Sequence, residues 1–336
     1  MLKTLSLLDS SPILKGQSDA AALRSSVSLA KACEQLGYYR YWATEHHDLA
    51  GLSGSVPEVL LAAVGQATGS IRLGSGAILL PHYSPYKVAE VHHALASLNP
   101  GRIDIGVGRA PGGNAQTSEA LSGEFLKRVY SMPELVDELR GYLDGTAENG
   151  LRAAPVPDEK PELWILGTSL KSARMAGERG LSYAFAHFMS DLDPAEAMTE
   201  YRSALQANGF YPGEHHSIIT VSAICAKTEQ LTEELAEPVL KASLQREKNQ
   251  AAGIAEAVGH SAPEEDTVAD EEIMTRLRNQ RFIGSAERIH EELNAMCCRA
   301  GVDEVMVITH LSSHQERYQS YESLMSSHRE YHRNHD

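Results

Sequence analysis

Two spacings of apolar residues take turns along the first hundred positions. Leu2 to Leu8 is an apolar run of strand length, ended by Ser10-Ser11-Pro12. Asp19 to Leu36 then carries Leu23, Val27, Ala30 and Leu36 near helical spacing, with Gly37 as a stop. Tyr38 to Thr44 predicts a second strand, and in Val56 to Thr68 the residues Val59, Leu60, Ala63, Val64 and Ala67 share one helical face. Ile71 to Leu80 is a nearly continuous apolar run closed by Pro81, the pattern of a strand buried on both faces. Pro85 to Leu98 predicts a helix with proline in its first turn. Arg102 to Val107 alternates strictly, with Ile103, Ile105 and Val107 on one face and Arg102, Asp104 and Gly106 on the other.

The second half keeps the beat less regularly. A helix from Pro133 to Leu143 precedes a short strand, Leu163 to Leu166, and Ser172 to Arg179 reads as a helix stopped by Gly180. Tyr183 to Phe188 is a strand, Pro194 to Asn208 a helix and Ile218 to Ala226 a β-branched strand. Thr232 to Glu247 is a helical run that Pro238 is expected to kink or split. Val305 to Thr309 is the last strand and His314 to Tyr331 a closing helix.

Eight strands alternating with eight helical partners fit a parallel (β/α)8 TIM barrel, closed on itself, better than an open sheet. The expected organisation is a single domain over 1–336, interrupted twice. Ala110 to Ser131 lengthens the connection after strand four, and Asn249 to Ser285 is a polar, acidic insertion before the last helix and strand. Loops longer than ~15 residues in a compact domain are more often functional than accidental.

Composition narrows the partners rather than the fold. The 336 residues are 42% hydrophobic and 22% charged, as in a folded soluble protein, and the formal net charge of -15 argues against nucleic acid or an anionic membrane. Cys33, Cys225, Cys297 and Cys298 show no C-x-x-C spacing and read as core residues of a reducing compartment. The opening MLKTLSLLDSSP is too short and too interrupted for a signal segment, and no apolar stretch approaches the ~18 residues that span a bilayer. A cytoplasmic protein is the expectation.

In a barrel of this kind ligands gather where strands give way to helices, and the chemically interesting residues fall there. Glu45-His46-His47 closes strand two, Gly76-Ala77 lies late in strand three and Arg109 follows strand four. Gly167-Thr168-Ser169, with Ser172 beyond, follows strand five, and His187 closes strand six. His46 has the titration range of a proton donor or acceptor near neutral pH, although it also suits an ordinary surface histidine. Glu45 suits a ligand's ring N–H or a neighbouring backbone group equally well. Hydroxyls and amides at Gly167, Thr168, Ser169 and Ser172 open a helix, which serves either as an N-cap or as an anion site. Arg109, in a glycine-rich loop, adds a fixed cation from the adjacent strand. Sharper motifs fail: the third glycine of a dinucleotide fingerprint falls on Pro111, and Leu170 stands where a P-loop has glycine. Adjacent pairs such as His46-His47 point to opposite strand faces, so no metal site is expected.

WATEHH at Trp42 to His47, GSGAILLPHYSP at Gly74 to Pro85, LNPGRIDIGVGRAPG at Leu98 to Gly112, WILGTS at Trp164 to Ser169 and GVDEVMVITH at Gly301 to His310 together resemble the bacterial luciferase-like flavin monooxygenases. The resemblance spans nearly the whole chain, in the family's order. It implies a barrel that takes reduced FMN as co-substrate from a separate flavin reductase and uses O2 to oxidise a small organic substrate. F420 serves some members and is the lesser expectation; a non-catalytic flavin-binding protein is another reading. Carried residue by residue, Glu45 would lie by the flavin ring and His46 would assist the oxygen chemistry. Gly76-Ala77 would match a non-prolyl cis peptide under the ring, and Arg109 with Gly167, Thr168, Ser169 and Ser172 would hold the phosphate. Gly108 replaces the cysteine that luciferase carries near the flavin, so light emission is not expected. The resemblance also implies a homodimer, through Val56 to Thr68 and Pro85 to Leu98; Asn249 to Ser285, whose residues match no family motif, is expected to form a lid on its length and polarity.

Overall fold

The computed structural model describes residues 1–257 and 267–335. Its centre is a ring of parallel strands: β1 (Thr4–Asp9), β2 (Arg40–Ala43), β3 (Arg72–Leu79), β4 (Ile103–Gly108), β5 (Glu162–Gly167), β6 (Ser182–Ala186), β7 (Ser217–Ala226) and, after a further short strand β8 (Arg281–Ser285), β9 (Glu304–Ile308). Each strand pairs with the next, β7 pairs with β9, and β9 returns to β1, so eight strands close into a barrel. β8 stays outside that circle and pairs with the far half of β7, from Ser222 to Ala226.

The helices between the strands are α1 (Asp19–Gln35), α2 (Pro57–Ala67), α3 (Pro85–Leu98), α4 (Ala115–Ser122), α5 (Phe125–Tyr130), α6 (Met132–Asp144), α7 (Leu170–Glu178), α8 (Pro194–Ala207), α9 (Glu229–Ala257), α10 (Thr267–Asn279), α11 (Ala286–Ala300) and α12 (His314–His335). All eight barrel strands fall where the apolar periodicity predicts them. Three departures have local causes. The stretch Ala110 to Ser131 contains α4 and α5, the first capped by the Asn114 side chain accepting from Thr117 N–H. α9 runs on through Pro238 without a break, so the proline neither ends nor divides it. The segment expected as one polar insertion, Asn249 to Ser285, supplies the end of α9, then α10 and β8, while its residues 258–266 lie outside the described residues.

Alternation along the strands sorts the core into two layers. Ile103, Ile105 and Val107 of β4 join the large cluster between barrel and helices, as do Leu5 and Leu7 of β1 and Val305 and Val307 of β9. Leu8, Trp42, Trp164, Ala184, Ile218, Met306 and Ile308 form a separate cluster that fills the inside of the barrel. Trp42 and Trp164 meet edge to face, with ring centroids 5.2 Å apart. Gly74 carries no side chain because the Trp42 ring occupies the space a Cβ would take.

Below these tryptophans, at the N-terminal end of the strands, the interior is charged. Arg40 Nη1 lies 2.8 Å from Asp104 Oδ2 and its Nε 2.9 Å from Glu304 Oε1, while Arg72 Nη2 lies 2.5 Å from Asp104 Oδ1. Trp42 Nε1 donates to Asp104 Oδ2 at 3.0 Å and Ser6 Oγ to Glu304 Oε1 at 2.5 Å. Glu162 takes Ser182 Oγ at 2.6 Å and His216 Nδ1 at 2.7 Å. Burial alone would raise the Glu162 carboxyl, but the His216, Ser182 and Arg40 contacts outweigh it and hold it below the usual range. Every charge in this plug has a partner, as burial demands.

Candidate active site

At the opposite end of the barrel the strand termini build a different environment. β2 delivers Glu45, His46 and His47. Glu45 is buried, and its carboxylate is held at three points: Oε2 accepts from Leu79 N–H at 2.9 Å, and Oε1 accepts from Tyr83 OH at 2.6 Å and contacts His47 Nε2 at 2.7 Å. Of the two readings of Glu45, the structure displays the bond to a neighbouring backbone group. The buried Glu45 sends the Tyr83 phenol well above its ordinary pKa, burial being the larger cause. His46 is half-buried; its N–H donates to Gly54 O at 2.8 Å and its Nδ1 lies 2.9 Å from Thr44 Oγ1. Burial lowers its pKa, partly offset by Glu45 nearby, so the ring is neutral and able to accept a proton around pH 7. Nε2 of His46 has no protein partner among the described residues.

β3 and β4 supply the next part of the rim. The Gly76–Ala77 peptide bond is cis, at the place where the pairing of β3 with β4 shifts register between Gly76 and Ile78. A Cβ at Gly108 would sit 3.1 Å from the Ala77 Cβ, so glycine lets β4 approach the Ala77 side chain. Gly112, at φ +68, offers its carbonyl to His47 N–H at 2.8 Å. Gly113 has the His47 carbonyl within 2.5 Å of where a Cβ would stand. The glycines after β4 therefore seat the loop on the His47 turn of the same chain. Arg109 is exposed and makes no ion pair among the described residues.

β5 and α7 complete the arc. β4 pairs with β5 in a register of Val107 with Ile165, so Arg109 and Gly167 follow neighbouring strands onto one rim. Ser169 is the N-cap of α7, and Ser169 and Ser172 form a reciprocal capping box. Ser172 is buried; its hydroxyl donates to Ser169 O at 2.7 Å and lies 3.2 Å from Tyr183 OH. Its shape also explains Gly167, where a Cβ would collide with the Ser172 side chain. Thr168 is exposed, and its carbonyl accepts from Ser190 Oγ at 2.8 Å. The first-turn N–H groups of Leu170 and Lys171 are left over by this capping and point out of the helix end.

Sequence reasoning passed over part of this rim. Ser222, His310 and Arg281 sit near the mouth on β7, just after β9, and on β8, and each has a buried side-chain atom with no hydrogen-bond partner among the described residues: Ser222 Oγ, His310 Nδ1 and Arg281 Nε. His187 Nδ1, after β6, is in the same condition. The ending at His310 belongs to a motif already noted, but nothing in a single sequence says that its ring lacks a partner. A cleft of about 660 Å³ opens between the turn after β6, at His187, Ser190 and Asp191, and the α10 side chains Glu271, Thr275 and Arg276. Among the described residues no group of three histidine, cysteine or acidic side chains is arranged to hold a metal ion. No helix among them is long and apolar enough to cross a membrane.

Known proteins are similar to this chain over nearly its whole length. An uncharacterised protein of Bacillus subtilis, YceB, is 36% identical over 95% of this chain and 98% of its own length. The N-acetyl-S-alkylcysteine monooxygenase of the same organism is 34% identical over 95% of this chain and 96% of its own. The solved structure of apo-MsnO8 superimposes with a TM-score of 0.82 at 31% identity, covering 97% of this chain and 98% of that one. The family profile of the luciferase-like monooxygenases matches residues 5–304, and the chain belongs to that family.

Proposed function

We propose that this chain is a two-component flavin monooxygenase: reduced FMN arrives from a separate reductase, and O2 is used to oxidise a small organic substrate at the barrel mouth. The observation that carries the reading is the arc formed by four consecutive strands. β2, β3, β4 and β5 are neighbours in order, and from their ends come His46, the cis Gly76–Ala77 turn, the unpaired Arg109 and the N-terminus of α7. A phosphate fits one end of that arc, because a guanidinium without a counter-charge and a helix start with free N–H groups are both anion receptors.

In this reading Arg109 and the N-terminal amides of α7 hold the phosphate, with Ser169 and Ser172 shaping the helix end from beneath. Glu45, fixed by Tyr83, His47 and the Leu79 amide, keeps the β2 turn rigid beside the ring site. Gly76 and Ala77 provide the surface under the ring. When bound, reduced FMN supplies the electrons for O2 activation. His46, neutral and anchored through Nδ1 to Thr44, receives or returns the proton at Nε2. The apolar floor of Trp42, Trp164 and Ile308 excludes water from below. A homodimer through α2 and α3, which expose Val59 and Leu98, and a cytoplasmic setting belong to the same proposal.

Anaerobic titration of the protein's tryptophan fluorescence with reduced FMN and with reduced F420 tests the cofactor; quenching by reduced F420 alone overturns FMN. Once an aldehyde, sulfonate, thioether or amine substrate is found by product detection, His46→Ala is expected to retain flavin affinity. It should lose about 100-fold in product formed per O2 consumed, the lower end of what a positioned acid or base supplies. Unchanged product yield removes His46 from the mechanism.

A further inference from the structure

The mouth of the barrel contains a second set of unbalanced cations, far from Arg109. In the closed ring β9 lies four strands from β4, on the opposite side. There Ser222 of β7 pairs in register with Ile308 of β9 and with Arg281 of β8, so all three side chains leave the sheet on one face. Ile308 belongs to the cluster inside the barrel, which makes that face the lumenal one, and His310 lies two residues further along.

Ser222 is 2% exposed and its hydroxyl has no partner among the described residues. His310 Nδ1 is buried and also unpartnered. Arg281 spends Nη1 on Leu277 O at 2.5 Å and Nη2 on Ser243 Oγ at 3.1 Å, both neutral, and keeps Nε buried without an acceptor. Glu247, the acidic group that acts on it electrostatically, is itself bound to Arg276 at 2.5 Å. Arg246, on α9, is exposed and has no ion pair among the described residues. Burial first, then Arg281, Arg246, Arg317 and His46, press the His310 imidazole down to about 3. Among the described residues Arg317 alone of these makes an ion pair, with Asp9 at 2.7 Å. A half-buried guanidinium whose hydrogen bonds all go to neutral groups is costly, and in a chain of net charge -15 carboxylates are abundant elsewhere.

We propose that Arg281, with Arg246, His310 and Ser222, forms a subsite for the anionic group of the oxidised substrate, a small organic acid bearing a carboxylate or sulfonate. Arg281 Nε and the Arg246 guanidinium receive the charge, Ser222 Oγ donates to it, and neutral His310 donates or accepts according to its tautomer. With the flavin phosphate held across the mouth at β4 and β5, the anion at β7–β9 leaves the substrate's reacting end between them, on the side of His46. This rests on the monooxygenase reading for what happens there, but the subsite itself is testable without flavin.

Calorimetric titration of the flavin-free protein with hexanoate, hexane-1-sulfonate and hexanamide at constant ionic strength measures the preference directly. Either acid is expected to bind about tenfold or more tightly than the amide, the worth of a charge-assisted hydrogen bond, and the stronger of the two identifies the head group. Arg246→Gln, at an exposed position where folding is not at stake, and Arg281→Lys, which keeps charge but loses the Nε donor, should each reduce that preference severalfold with reduced-FMN affinity unchanged. Equal binding of acid and amide, or a preference that survives both variants, overturns the subsite. So does a preference abolished by Arg109→Gln, since the acids would then occupy the phosphate end. Failure of reduced FMN to bind a protein that still selects hexanoate would overturn the flavin reading and leave the subsite standing.

Discussion

The two ends of the barrel use the same residue types and treat them oppositely. At the N-terminal end Arg40, Arg72, Asp104, Glu162 and Glu304 form a plug in which each charge meets a counter-charge within 4 Å. At the C-terminal end, among the described residues, Arg109, Arg246 and Arg281 make no ion pair, and Ser222 Oγ, His310 Nδ1 and Arg281 Nε are buried without hydrogen-bond partners. Saturated polar groups hold a structure in one state, whereas unsaturated ones await something from outside. Completeness of charge pairing, rather than residue identity, separates the end that stabilises from the end proposed to bind.

Breaking the plug should therefore cost more than any change at the mouth. Asp104→Ala strips Arg40, Arg72 and Trp42 of a common acceptor and leaves two guanidinium groups poorly matched in the interior. Removal of one partner from a buried ion pair costs about 3–5 kcal/mol. Urea unfolding should show a loss of that size, with the midpoint falling at unchanged slope. A loss below about 1 kcal/mol would mean that the plug is merely tolerated, and the contrast between the ends would fail.

A second prediction concerns pH and the outer wall of the same N-terminal end. His328 Nε2 lies 3.2 Å from Lys3 O and must donate to it, so Nδ1 is left to accept from His290 Nε2 at 3.1 Å. His332 Nε2 reaches Leu2 O at 3.1 Å. The His290–His328 bond needs an acceptor at His328 Nδ1, so it ties α11 to α12 only while the His328 ring is neutral. Burial, reinforced by the neighbouring histidines, lowers His290 and His328 from 6.5 to about 4. The unfolded chain takes up protons first as pH falls. The sign is thus fixed: stability is full above pH 6.5 and declines progressively towards pH 4. Thermal melts across that window should show a steady drop in Tm, smaller in His290→Gln, where an amide N–H replaces the titrating donor. A flat profile, or an equal slope in the variant, would assign the acid sensitivity to other groups.

The contrast also explains what was legible from sequence. The eight strands were, because Ile103, Ile105 and Val107 obey a period that the helix layer enforces. The alternation marked Asp104 as facing the other way, but not that its partners are Arg40, Arg72 and Trp42, which lie 32 to 64 residues away. β8 escaped notice since RFIGS is five residues inside a polar stretch, with only Phe282 and Ile283 to mark it. At the mouth, the hydroxyls of Ser169 and Ser172, which suit an N-cap and an anion site alike, cap α7. Capping boxes and phosphate cradles draw on the same residues at the same spacing. Arg281 was invisible as a candidate for the converse reason: a surplus charge becomes apparent only once its neighbours are known.

The smallest effect should come from an exposed cation that makes no ion pair among the described residues, and it discriminates most finely. Arg109 touches no carboxylate and caps no helix, so Arg109→Gln should leave the unfolding midpoint within about 0.5 kcal/mol of the parent. If it binds the flavin phosphate, the variant loses one charge-assisted contact on a partly solvated site. Reduced FMN should then bind about tenfold more weakly, while reduced riboflavin, which lacks the phosphate, should bind the two proteins equally. A parallel loss for riboflavin would mean that Arg109 acts on the ring or on the loop that Gly112 and Gly113 seat against His47. Equal FMN affinity would transfer the phosphate to Lys171 and the amides of α7, and the unpaired state of Arg109 would then have to be explained by substrate.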